Sequence, residues 1–138
     1  MKAYSWQDLR LGLRESFEVE VTLAMVDLFG TLSGDDNPLH QDAAYARGAG
    51  FADRVVYGML TASFYSRLVG VHLPGERALL QGIDIHFLKP VYIGERLTVR
   101  GEVQHLNEAY RQAQLVAEIV DDQEQLRSKA KIRVGIRD

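Results

Sequence analysis

The 138-residue sequence contains no cysteine. That removes disulfides, thiolate metal sites and a cysteine nucleophile together. Its three prolines are too few for a Pro-rich linker, and no repeat or low-complexity tract is visible. No apolar run approaches the roughly 18 residues of a transmembrane helix. The opening stretch MKAYSWQDLRLGLRESF is broken by charges and lacks the continuous apolar core of a signal peptide. Positive charge is not in excess, since the net charge is −3, so neither nucleic acid nor an anionic membrane is favoured as a partner. P-loop, GxGxxG and GxSxG patterns are missing. His72, His86 and His105 stand singly, at no metal-ligand spacing, and no metal site is expected. These exclusions leave a single cytoplasmic domain, residues 1–138, as the expectation.

What is present suits a packed core, with 46% hydrophobic and 25% charged residues. Glu15 to Thr22 alternates, Phe17, Val19 and Val21 against Ser16, Glu18 and Glu20, which predicts a half-buried strand. Thr22 is a plausible N-cap for a short helix through LAMVDLFGTLS. SGDDNP should end that helix, with Gly34 as a flexible joint and Pro38 holding Asn37 extended. One or two helical turns follow from Asp42 to Arg47. Val55 to Gly70 is apolar almost all round, with Arg67 its only charge, and reads as a helix buried against a sheet. Four strand-like runs come next: 78–88, 96–103, 111–120 and 126–136. Short links between the later ones imply antiparallel neighbours. The pattern predicts an α+β fold, a curved antiparallel sheet wrapped around one buried helix.

Four features can carry chemistry. In SGDDNPLHQD, Asp35 and His40 lie on a Pro-containing loop and can converge on one water, although turn and cap roles explain the same residues. Asp36 and Asp42 are competing carboxylates. Tyr57-Gly58 opens the buried helix, where backbone N–H groups lack intrahelical acceptors and can polarise a carbonyl oxygen. Close packing on the sheet is the other reason for a glycine there. Ser66 lies about two turns further along the helix and can touch a ligand or bond the preceding turn. Arg127, Lys129, Lys131, Arg133 and Arg137 alternate on one face of the last run, as a solvated face or a phosphate contact.

SGDDNPLHQD, followed by RVVYGMLTASFYSRLVG and FLKPVYIGERLTV, resembles the MaoC-like hot-dog proteins, and among them the (R)-specific enoyl-CoA hydratases. The resemblance covers about Val21 to Val103. It implies a hot-dog fold and an enzyme that hydrates trans-2-enoyl-CoA thioesters to 3-hydroxyacyl-CoA, or runs the reverse dehydration. Asp35 and His40 match the D-x-N-P-x-H motif and would hold the water. Gly58 would offer its N–H to the thioester oxygen. Asn37, Tyr57, Met59 and Ser66 are then the candidate substrate contacts, under a segment from about Gly34 to Asp53 that overhangs the reactive end. Many relatives have His where this chain has Tyr57, a departure that bears on substrate preference. The resemblance further implies no cofactor beyond the CoA of the substrate, an acyl-CoA or acyl-carrier partner, and a homodimer or higher oligomer with the sheets joined edge to edge and substrate lying between subunits. The alternatives are a dehydratase of carrier-bound or branched acyl thioesters, a thioesterase of the same fold, and a non-catalytic acyl-CoA-binding module.

Overall fold

The computed structural model of the chain describes residues 1–137. The first strand, β1 (Arg14–Glu20), buries Phe17 and Val19 and exposes Arg14, Ser16, Glu18 and Glu20, as the alternation predicts. It stops two residues early because Val21 turns away. The Val21 N–H donates to the Glu95 carbonyl at 2.9 Å and the Gly94 N–H donates to the Val21 carbonyl at 2.7 Å. Thr22 is thereby free to cap α1 (Leu23–Ser33), its hydroxyl oxygen accepting the Met25 N–H at 3.2 Å. The helix ends at Gly34, whose φ of +73° is open to glycine at little cost. Pro38 does more than stop a helix. It opens a short one, α2 (Pro38–Gln41), in the first-turn position where a missing N–H costs nothing. Asp42 then caps α3 (Ala43–Gly48), accepting the Tyr45 N–H at 3.0 Å.

The central helix, α4 (Gly58–Arg67), begins three residues later than the apolar pattern suggests. Val55 is held by a bridge to Tyr92, and the Val56 N–H donates to the Val91 carbonyl at 2.8 Å. At its far end α4 widens into one π-helical turn, Leu68–His72. Leu60, Phe64 and Tyr65 are buried, but Met59, Ser63, Ser66 and Arg67 form an exposed stripe. The expectation of a helix buried all round is corrected to that extent: one face stays open within the chain.

Four strands follow, β2 (Ala78–Phe87), β3 (Arg96–Asn107), β4 (Gln112–Asp121) and β5 (Leu126–Ile136). With β1 they form one antiparallel sheet in the order β1-β3-β4-β5-β2. The inner face supplies Leu97, Val99, Val103, Leu115, Ile119, Ile132 and Val134, which close over Tyr65 and Leu68. β3 runs four residues beyond the alternating pattern, past a register shift between Val103 and His105 that breaks the alternation. The sheet has two unlike edges. β1 carries alternating charges. β2 leaves Leu79, Leu80, Ile83 and Phe87 between 40% and 54% exposed. Among the described residues no helix is long and apolar enough to cross a membrane.

Candidate active site

The residues of SGDDNPLHQD are held by local hydrogen bonds that their own side chains supply. The Ser33 hydroxyl oxygen accepts the Asp35 N–H at 3.1 Å, Asp35 Oδ1 accepts the Asn37 N–H at 3.1 Å, and Asn37 Oδ1 accepts the Leu39 N–H at 3.0 Å. The loop is therefore a chain of side-chain caps that hands over to α2. The turn chemistry is real, and it also fixes where His40 emerges.

His40 is half-buried. Its Nδ1 lies 2.7 Å from the Val55 carbonyl oxygen. A carbonyl only accepts, so Nδ1 carries the proton and Nε2 is left as the ring's acceptor. The His40 carbonyl in turn accepts Arg54 Nε–H at 2.7 Å. One side of the ring is covered by Tyr57, whose ring centroid is 4.1 Å away. An imidazole so held can take a proton from a molecule placed at Nε2 without rotating.

His40 and Gly58 line the same pocket, of about 290 Å³. The loop side contributes Phe51, Val55 and Val56, α4 contributes Gly58 and Thr61, the sheet contributes Phe87, Ile119, Arg127 and Ser128, and the connection from β2 to β3 contributes Leu88, Lys89, Pro90 and Val91. Gly58 is the first residue of α4, where the helix dipole and unsatisfied N–H groups favour a developing negative charge. The packing reason for the glycine holds as well, since a Cβ there would lie 3.2 Å from the Phe87 ring. Behind the pocket, the Tyr65 hydroxyl and Ser128 hydroxyl lie 2.8 Å apart, and burial pushes the Tyr65 phenol up to about 12. A larger depression of about 650 Å³ lies between β1, β3 and β4 among Arg14, Arg100, Glu102 and Glu118, away from all of these groups.

The other candidates fall elsewhere. Asp35 is exposed and does not line the pocket, although its carbonyl is tied to Tyr57. Asn37 spends its side-chain oxygen on the cap. The Tyr57 ring is 2% exposed and faces His40 and Phe29 rather than the pocket. Met59, 62% exposed, and Ser66 lie on the open face of α4, outside the pocket lining. Arg127 also departs from its expected place in a solvated stripe. It is only 11% exposed and donates to Glu95 at 2.6 Å, Asp121 at 2.9 Å and the Pro90 carbonyl at 2.7 Å. Phe51, Phe87, Ile119 and Ser128 come from four separate segments, and no local spacing marks them as pocket residues.

A helix packed along one face against a five-stranded antiparallel sheet, with its first glycine and a loop histidine on one pocket, is the hot-dog arrangement. The sequence pattern of the MaoC-like domain family matches residues 12–125, and the chain belongs to that family. It is 38% identical over 104 residues to the (R)-specific enoyl-CoA hydratase of Aeromonas caviae, covering 75% of this chain and 78% of that one. It is 31% identical over 135 residues to the 3-hydroxybutyryl-CoA dehydratase of Methylorubrum extorquens, covering 97% and 86%. The solved structure of the (R)-hydratase from A. caviae superposes with a TM-score of 0.90 at 34% identity, over 94% of this chain and 98% of that one.

Proposed function

We propose that the protein adds water to trans-2-enoyl-CoA thioesters to form (R)-3-hydroxyacyl-CoA, and catalyses the reverse dehydration. The observation that carries this reading is His40 itself: Nδ1 is committed to the Val55 carbonyl, and the ring lines the apolar pocket that begins at Gly58. The thioester oxygen accepts the Gly58 N–H, so enolate charge developing there is favoured by the donor and the helix dipole. His40 holds the water from the pocket wall, and Asp35, which lies outside the pocket lining of the single chain, completes the pair from the adjoining loop. Its oxygen bonds to C3, its proton leaves to the pair, and the pair returns a proton to C2, so each cycle ends in the starting protonation state. These steps use groups of the chain and the substrate alone.

The same reading makes the protein a homodimer joined through β2. That strand is an unpaired sheet edge with apolar side chains exposed along it. The open Met59 and Ser66 face of α4 would then be covered by the second copy and reach substrate from there. The test is hydration of crotonyl-CoA by purified protein, followed by loss of the conjugated thioester absorbance. His40→Ala and Asp35→Asn are expected to lower kcat by about 10²–10⁴-fold while leaving the fold intact. Release of free CoA from a saturated acyl-CoA, without hydration of crotonyl-CoA, would replace the reading with a thioesterase.

A further inference from the structure

We propose that Tyr57 is a positioning residue: its hydroxyl sets the Asp35–His40 loop against the Gly58 end of α4, and residue 30 is glycine so that the hydroxyl can reach that loop. The proposal rests on the roles given above to Asp35, His40 and Gly58.

Tyr57 joins parts of the chain that are distant in sequence. Its hydroxyl donates to the Asp35 carbonyl at 2.7 Å and accepts from Gln41 Nε2 at 3.4 Å. Its ring lies 4.1 Å from that of His40 and 5.0 Å from that of Phe29 on α1. It is bonded directly to Gly58, the first residue of α4. One buried side chain thus touches the residue bearing each proposed water-holding group and is covalently fixed to the proposed oxyanion donor.

Gly30 is the complementary observation. A Cβ at this position would lie 2.7 Å from the Tyr57 hydroxyl oxygen, closer than unbonded atoms pack. Gly30 sits inside α1, where alanine would ordinarily be the more stable choice. The missing methyl is explained by the hydroxyl it would displace. Because Asp35 is exposed, water can replace the lost bond when the hydroxyl is removed, so the loss falls on loop placement more than on folding. Misplacing a reacting group by about 1 Å can cost about 100-fold in rate.

The experiment is a double-mutant cycle of Y57F and G30A, with steady-state hydration of crotonyl-CoA and thermal melting measured on each protein. Y57F is expected to lower kcat about 10- to 100-fold, with KM changed less than about threefold, and to leave the melting temperature nearly unchanged. G30A should lower kcat in the wild-type background. In the Y57F background it should cost no further activity and should raise the melting temperature, because the hydroxyl it collides with is gone. If G30A and Y57F lower kcat independently, the link between Gly30 and the hydroxyl is wrong. If Y57F keeps kcat within twofold while His40→Ala is nearly inactive, the positioning role is overturned and the hydratase reading stands. A drop in activity that only tracks a loss of folded protein overturns it too. Full activity in His40→Ala would instead remove the reading on which the proposal rests.

Discussion

His40 and His72 are the same side chain in opposite circumstances. His40 has a fixed hydrogen-bond partner and a wall of the pocket to work in. His72 ends the π-helical turn, stacked on Phe17 at 4.9 Å, and among the described residues its buried Nε2 has no hydrogen-bond partner. Burial, then the Arg67 charge, holds its pKa below the ordinary value. Glu15 opposes this, while Lys2 and the amino terminus act with Arg67. In the unfolded chain a histidine takes up a proton near pH 6.5. As pH falls through that value, the unfolded state binds a proton that folded His72 refuses, so stability present at higher pH is lost. His72→Phe keeps an aromatic ring against Phe17 and removes the titration. Urea unfolding between pH 8 and pH 5 should show a shallower loss of stability in that variant than in the wild type, and an identical slope would exclude His72 as a contributor. Neither environment was legible locally. His40 stood out because a motif contains it, whereas the partners of His72, apart from Arg67 at the end of α4, lie on β1 and at the chain's start.

At the level of elements, local chemistry reached furthest where a segment carries its own punctuation. Thr22 and Gly34 bracket α1 and were readable as cap and joint. α4 has no such start signal. Its first turn is delayed by contacts of Val55 and Val56 with Val91 and Tyr92, more than thirty residues on. Arg127 misled for the same reason: odd spacing put it on a solvated stripe, but Glu95 and the hairpin carboxylate Asp121 draw it inward. Gly101 shows how closely helix and sheet meet. A Cβ there would lie 2.8 Å from Leu68 Cδ2, and Leu68 is fully buried with little room to yield. Gly101→Val is expected to destabilise the protein by about 1–3 kcal/mol through overpacking. Chemical denaturation would measure it, and an unchanged midpoint would mean that α4 can lift off the sheet at no cost.

For the whole molecule, the sheet wrapped on one helix was readable from the periods of apolar residues, but its strand order was not. β1 pairs with β3 and β2 with β5, partners separated by stretches that no local pattern bridges. The apolar edge of β2 followed only from that order, because Ile83 and Phe87 look like ordinary core residues in the sequence. With the homodimer proposed above, Ile83→Lys should shift the protein from dimer to monomer in light scattering at micromolar concentration, since a lysine on a paired edge meets its own copy across the junction. An unchanged dimer would move the junction to another surface.

The unlike edges also set how far assembly can go. Once two copies share their β2 strands, each presents only β1 outward, and β1 alternates Arg14, Ser16, Glu18 and Glu20 toward solvent. The chain then has a valence of one. Raising its concentration should fill the two-copy state and stop there, because no adhesive strand is left from which a fibre could grow.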